Sequence, residues 1–335
     1  MQDIITFGSA TQDIYLKSKK FLPVLNDAFQ TGKGICINFG SKLEVEDILF
    51  TWGGGGTNSA VTFAKQGFKV SYCGMIGDDL GGNFILQKLK ESKIGTEYIL
   101  KNKNIGTNVG VILASPAKDR TILVYRGASD VLKKEDIPWN KIKNTKWFYL
   151  APFAGELSSL TKEIIDFAKN NKIKIAFNPG YNQLNLPQNI LEDILNKVDV
   201  LILNREEASL LTGISYQQEK EIFKKIDLIT KGIVIMTKGS EGVVVSDGKY
   251  LYKSKAININ IIDTTGAGDA FGSGFVSGLM QKNDIEYAIQ LAMANSCYNL
   301  TKWGAKEGLL EKNQNWEKVI VEKEPCSLNN FCEIK

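Results

Sequence analysis

Short apolar runs bounded by turn residues recur along the chain, and most are followed by a segment with apolar positions at helical spacing. Residues 4–7 form such a run, ending at Gly8, and predict a buried strand. Residues 58–66 then predict a helix, 69–76 a strand, and 81–92 a helix with Phe84, Ile85, Leu86 and Leu89 on its apolar face. From residue 147 onward the alternation is regular. Strands are predicted at 147–150, 173–178, 200–203, 233–237 and 242–246, and helices at 160–170, 189–197 and 205–211. A strand-like run at 256–262 precedes a helical one at 270–280. Alternation of this kind predicts an α/β fold, a doubly wound and mostly parallel sheet with helices on both faces. Two stretches break it. Residues 15–49 carry turn residues without a helical period, and 107–113 and 121–125 read as strands paired around a turn at 115–119. The segments near 10–50 and 105–127 are therefore expected to leave the main body as a small β-sheet lid.

Neither a repeat nor a Pro/Gly-rich linker divides the chain. Residues 1–312 are expected to form one α/β domain, with 313–335 a C-terminal tail. Within that tail Trp316, Val319 and Ile320 predict a terminal helix with a frayed end. An apolar fraction of 43% and a charged fraction of 23% are those of an ordinary globular protein. The net charge of +4 comes without a block of like charge, so a nucleic-acid partner is not expected. No apolar run approaches the roughly 20 residues of a membrane span, and the first residues lack a signal peptide's basic and apolar regions. A cytoplasmic location is the expectation. The five cysteines show no CxxC spacing and read as free thiols of a reducing compartment, with Cys326 and Cys332 in the tail a pair that oxidation would join.

Histidine is absent, which excludes a Ser-His-Asp triad, a Cys-His pair and any His-ligated metal. The stretch Asp263-Thr264-Thr265-Gly266-Ala267-Gly268-Asp269 lies between the strand-like run and the helix. Glycines there let the backbone turn sharply beside a ligand, and the following helix directs its free N–H groups and positive dipole end at the turn. Such a turn binds anions, phosphate above all. A carboxylate in that position repels phosphate, unless its task is to take the proton from a hydroxyl that attacks it. Asp269 is the candidate base, and helix capping is the competing account of it. Asp13, the 53–58 turn, Asn178, Asn204, Thr237 and the 263–269 turn all follow strand-like runs. In open α/β sheets that edge holds the ligand, so one composite site is expected.

The run Asp263-Thr264-Thr265-Gly266-Ala267-Gly268-Asp269-Ala270-Phe271, followed by Gly274 and Phe275, resembles the C-terminal signature of the ribokinase/PfkB family of sugar and nucleoside kinases. Trp52-Gly53-Gly54-Gly55-Gly56-Thr57-Asn58 resembles that family's N-terminal signature. The resemblance spans about residues 3–310 and implies a ribokinase-like fold whose lid closes over the sugar and is open to pairing in a homodimer. It implies that Gly266, Ala267 and Gly268 stabilise the transferred phosphoryl group while Asp269 acts as base. Asp13, Gly54, Gly55 and Asn58 match positions that hold sugar hydroxyls. Asn204 and Glu207 resemble the N-x-x-E motif that orients Mg²⁺ through water. Thr237, Gly239 and Gly242 resemble the nucleotide cradle. Met293 and Asn295 would lie near the adenine, with Met293 equally readable as core. For K⁺ the resemblance implies Asp263 and Thr265 with the carbonyls of Leu300, Trp303 and Ala305, although Asp263 equally braces the turn.

The implied activity is ATP- and Mg²⁺-dependent phosphorylation of an exocyclic hydroxyl on a small, ribose- or fructose-like carbohydrate. A nucleoside kinase of adenosine-like type is the alternative within the fold. A non-catalytic sugar- or nucleotide-binding protein is the alternative of another class, and the intact Asp269 argues against it. The chain departs from ribokinase proper, which has lysine at Gly55 and a glutamate near Ala151-Pro152-Phe153. Both departures count against ribose itself. Arg126 is the lid cation open to a charged substrate.

Overall fold

The structure is a computed structural model, and it describes residues 1–26, 32–114, 120–326 and 332. The turn expected at 115–119 lies outside the described residues. The strands in chain order are β1 (Gln2–Phe7), β2 (Thr11–Lys17), β3 (Pro23–Leu25), β4 (Lys33–Ile35), β5 (Asp47–Gly53), β6 (Val70–Gly77), β7 (Gly95–Asn102) and β8 (Asn108–Ala114). They continue with β9 (Arg120–Tyr125), β10 (Thr145–Leu150), β11 (Lys174–Phe177), β12 (Val200–Asn204), β13 (Ile233–Thr237), β14 (Val243–Ser246), β15 (Tyr250–Ser254) and β16 (Glu322–Pro325).

Ten of them form one sheet in the order β16-β15-β14-β13-β12-β11-β10-β1-β6-β7. It is parallel from β7 to β13 and antiparallel beyond. Side chains alternate across it, because successive Cβ atoms of a strand point to opposite faces. Ile5, Phe7, Phe148 and Leu150 join one apolar layer with the helices Thr161–Asn170, Gln188–Leu195, Arg205–Thr212 and Glu219–Ile229. Ile4, Trp147 and Tyr149 join the other, with the helices Gly55–Lys65, Leu80–Glu91, Ala267–Lys282 and Ile285–Leu300. Burial on both faces explains why the central strands read as continuous apolar runs.

The second sheet, β5-β2-β8-β9, is the expected lid. β2 pairs antiparallel with β5 and parallel with β8, and β8 pairs antiparallel with β9. One β2–β5 pair sets Asp13 opposite Thr51, so Asp13 belongs to the lid sheet.

Three expectations change. Residues 256–262 are not a sheet strand; they run as an irregular segment along a cleft. The tail adds strand β16 to the sheet edge instead of a helix. Cys326 and Cys332 are joined in a disulfide, and Cys332 is buried in the core with its N–H donating to Asp227 at 2.8 Å. The tail's charged sequence hid this, because an edge strand needs one paired neighbour and little apolar content.

Candidate active site

The turn before the helix Ala267–Lys282 has the predicted form. Gly266 is left-handed, with φ 77°, and a Cβ there would sit 2.5 Å from that of Ala305, so no other residue fits. Gly268 has no positive φ, and its Cβ position is open. Gly266, Ala267, Gly268 and Asp269 line a cleft of about 210 Å³ together with Pro152, Asn178, Asn204, Glu207, Thr237 and Thr264. Of the residues expected in one composite site, Asn178, Asn204, Thr237 and 264–269 except Thr265 line this cleft, while Asp13 and the 53–58 turn do not. It meets a larger one of about 630 Å³ at Thr237, Thr264, Ala267 and Gly268.

Asp269 stands where the two signatures meet. Asn58 Nδ2 donates to its Oδ2 at 2.7 Å. Dense protein around the carboxyl group raises its pKa, while the Asn58 bond and the charge of Lys306 act in the opposite sense. The cause of the second influence was not visible in the sequence. Lys306 follows the loop after the last helix and is only 7% exposed. Its ammonium donates to the carbonyl of Trp52 at 2.8 Å and to Asn58 Oδ1, and it lies 4.0 Å from the centre of the Trp52 ring. Asn58 is thereby fixed: its oxygen faces the lysine and its amide faces the base. Burial pushes the Lys306 pKa down, and Asp13 and Asp269 oppose that shift.

Asp13 is raised above its ordinary value by burial, with Lys306 lowering it and Asp263 raising it. Its carboxylate packs against Gly53 and Gly110, where added Cβ atoms would come within 2.1 and 2.7 Å of it. At Gly55 a Cβ would meet Ala151 at 3.0 Å, Pro152 at 3.2 Å and Asp269 at 3.3 Å. A side chain at 55 would need these neighbours to give by a few tenths of an ångström. A further cleft of about 240 Å³ runs from Pro152 to Arg126, lined also by Ser9, Thr11, Asn108 and Asp130. Arg126 pairs there with Asp130 at 3.4 Å.

Thr237, Gly239 and Gly242, expected to cradle the nucleotide, line the 630 Å³ cleft with Met293, Ser296, Cys297 and Leu300 from one face of the helix Ile285–Leu300. Asn295, expected near the adenine, does not line this cleft. Its amide donates to the Ala270 carbonyl at 2.8 Å, and its oxygen accepts from the Leu310 N–H at 2.9 Å. Two residues along a helix is over half a turn, so Asn295 cannot share the face of Met293. Asn204 and Glu207 form a reciprocal cap, Asn204 Oδ1 accepting from Glu207 N at 2.8 Å and Glu207 Oε2 from Asn204 N at 2.9 Å. Both still line the phosphate cleft. Burial pushes Glu207 up to about 7, the Asn204 amide opposes it, and Asp269 and Glu206 add to it.

The group read as a monovalent-cation site is bonded within the chain at Asp263, Thr265 and Leu300. The Asp263 side chain is fully buried and its oxygens are taken. Oδ1 accepts from Arg120 Nη1 at 2.8 Å, Thr265 Oγ1 at 2.7 Å and Thr265 N at 3.0 Å. Oδ2 accepts from Gly304 N at 3.0 Å and Tyr15 Oη at 3.1 Å. The Leu300 carbonyl accepts from the amides of Ile262 at 2.8 Å and Asp263 at 3.4 Å.

A glycine turn at a helix N-terminus, a carboxylate beside it and two adjoining clefts are the parts of a phosphotransferase, which moves a phosphoryl group from a nucleotide to an alcohol. The chain matches the pfkB family carbohydrate kinases over residues 1–313 and belongs to that family. It is 32% identical over 282 residues to a ribokinase of Lactococcus lactis, covering 81% of this chain and 87% of the relative. To an ATP-dependent 6-phosphofructokinase of Thermoanaerobacterium thermosaccharolyticum it is 28% identical over 280 residues, covering 81% and 85%. The structure of Arabidopsis thaliana ribokinase with ribose and ATP superposes with a TM-score of 0.76 at 20% identity, covering 92% of this chain and 96% of that one. The protein is a sugar kinase with the ribokinase fold.

Proposed function

We propose that this kinase transfers the γ-phosphoryl group of ATP to an exocyclic hydroxyl of a small polyol-like sugar, with Asp269 as general base. The supporting observation is the chain of contacts from Lys306 through Asn58 to Asp269. It presents an oriented carboxylate beside the glycine turn, in the smaller of the two clefts. Thr237, Gly239 and Gly242 hold the donor, with Gly266, Ala267 and Gly268 directing N–H groups at the phosphoryl group in flight. Asp13 meets the acceptor with a carboxylate suited to vicinal hydroxyls, alongside Gly54 and Gly55.

Glu207 lines the cleft beside Asp269 and would hold a hydrated Mg²⁺ there, whose charge would favour the ionised form that burial disfavours. Among the described residues no three acidic or thiol groups cluster into an all-protein metal cage, which suits an ion held mostly by phosphates and water. Bound there, the ion would neutralise phosphate charge. Potassium is not part of this reading, since Asp263 and Leu300 lack free oxygens for it. Ile48, Phe50, Leu123 and Val124 leave the lid sheet with exposed apolar surface, which supports pairing of two subunits through it. None of the described helices is long and apolar enough to cross a membrane.

Gly55 and the absence of a glutamate beside Pro152 favour acceptors other than ribose. An ADP-release screen over pentoses, hexoses, their monophosphates and nucleosides tests the proposal, with Asp269→Asn as control. Turnover on one sugar class that vanishes in the control is expected. Turnover on nucleosides alone would replace the sugar reading, and none on any acceptor would remove the kinase one.

A further inference from the structure

The donor set around Asp263 does not suit potassium. An alkali ion must exchange its hydration shell for oxygens with lone pairs to spare. Asp263 turns both oxygens to five N–H and O–H donors, and the Leu300 carbonyl is held by two amides. The positive charge is already there. Arg120 puts Nη1 on Asp263 and Nη2 on Thr264 Oγ1, both at 2.8 Å. The planar fork of a guanidinium suits two such bonds at once, and it stays charged at any working pH.

We propose that Arg120 is a built-in monovalent cation: it neutralises Asp263 and holds the Thr264–Gly268 turn in place of a bound alkali ion. It is a positioning residue, acting through Asp263 and Thr264 on the amides of the anion-binding turn. Arg120 opens strand β9, so the charge comes from the lid, and Tyr15 on β2 reaches the same carboxylate from the lid's other side. Seating of the lid and readiness of the anion site are therefore one event. This rests on the kinase reading only for its effect on rate.

Thermal unfolding of wild type and Arg120→Ala, without nucleotide or acceptor, is compared in KCl, NaCl and tetramethylammonium chloride at one ionic strength. Wild type should melt within about 1 °C in all three, since nothing binds. The variant should melt lower and be raised by K⁺ above Na⁺, as the vacated charge is filled. In ADP release, wild type should vary less than about twofold among the salts. The variant should lose roughly 10²-fold, the usual cost of disturbing an anion hole, and recover at least tenfold in KCl. Stabilisation or strong activation of wild type by K⁺ over Na⁺ overturns the proposal, and that arm stands if the variant does not fold. A variant as active as wild type without K⁺ also overturns it, as does one impaired in every salt. The thermal pattern without ADP release on any acceptor would uphold the inference and remove the kinase reading.

Discussion

Asn58→Ala tests the central contact of the site. Asn58 is 5% exposed and gives Nδ2 to the base at 2.7 Å, while its oxygen takes the ammonium of Lys306. A hydrogen bond to a charged group is worth about 1.5–3 kcal/mol, so losing the bond to ionised Asp269 lowers kcat by roughly 10- to 150-fold. That is a different result from the one a simple hydroxyl-binding residue gives, which is a raised KM for the acceptor and an intact kcat. The direction with pH follows. Burial raises the Asp269 pKa and the Asn58 bond lowers it, so removing Asn58 lets the pKa climb further. The base works only when ionised, so the acid limb of the kcat profile should move to higher pH. Coupled ADP release between pH 5 and 9, at saturating ATP and acceptor, measures both effects. A variant with kcat within twofold of wild type and an unmoved acid limb would show that Asn58 does not hold the base.

Asp269→Asn should lose about 10²–10⁴-fold in kcat. Because burial raises this carboxyl above its unfolded value, the ionised form costs stability. The variant should therefore melt above wild type at pH 8, with the gap closing as pH falls toward the unfolded value near 3.8 and wild type protonates; a lower melting point at pH 8 counts against it. Gly268→Val should raise KM for ATP, since its Cβ meets no protein atom within 4 Å and so projects into the cleft; unchanged KM and kcat would refute the cradle. Lys306→Met keeps the length of the side chain and removes the charge shared by Asp13 and Asp269. KM for the acceptor should rise about tenfold or more with KM for ATP unchanged, and equal rises in both would make Lys306 a packing residue.

Gly266, Ala267, Gly268 and Asp269 were legible because their chemistry is local. A left-handed glycine, a helix N-terminus and one acid fix an anion site within seven residues, whatever packs around them. The alternation of strands and helices was legible for a similar reason: each element's own period records which of its faces is buried. The same period records nothing about the partner. Residues 95–102 and 250–254 were missed as strands, the first because it is only partly buried and the second because it mixes tyrosine and lysine near the sheet edge. Ala256 to Ile262 has a strand's composition and finds no neighbour to pair with.

What the sequence by itself determined was the fold class, the anion turn and the acid inside it, since these follow from short-range backbone geometry. Only the tertiary structure decided where the positive charges lie. Lys306 meets Asn58 across 248 residues, and Arg120 meets Asp263 across 143. Neither lysine nor arginine marks its destination by spacing, because a flexible charged side chain goes where buried carboxylates must be neutralised. Asn295 illustrates the converse. The family resemblance placed it near the adenine, yet the turn of the helix aimed it at the Ala270 carbonyl and the Leu310 amide.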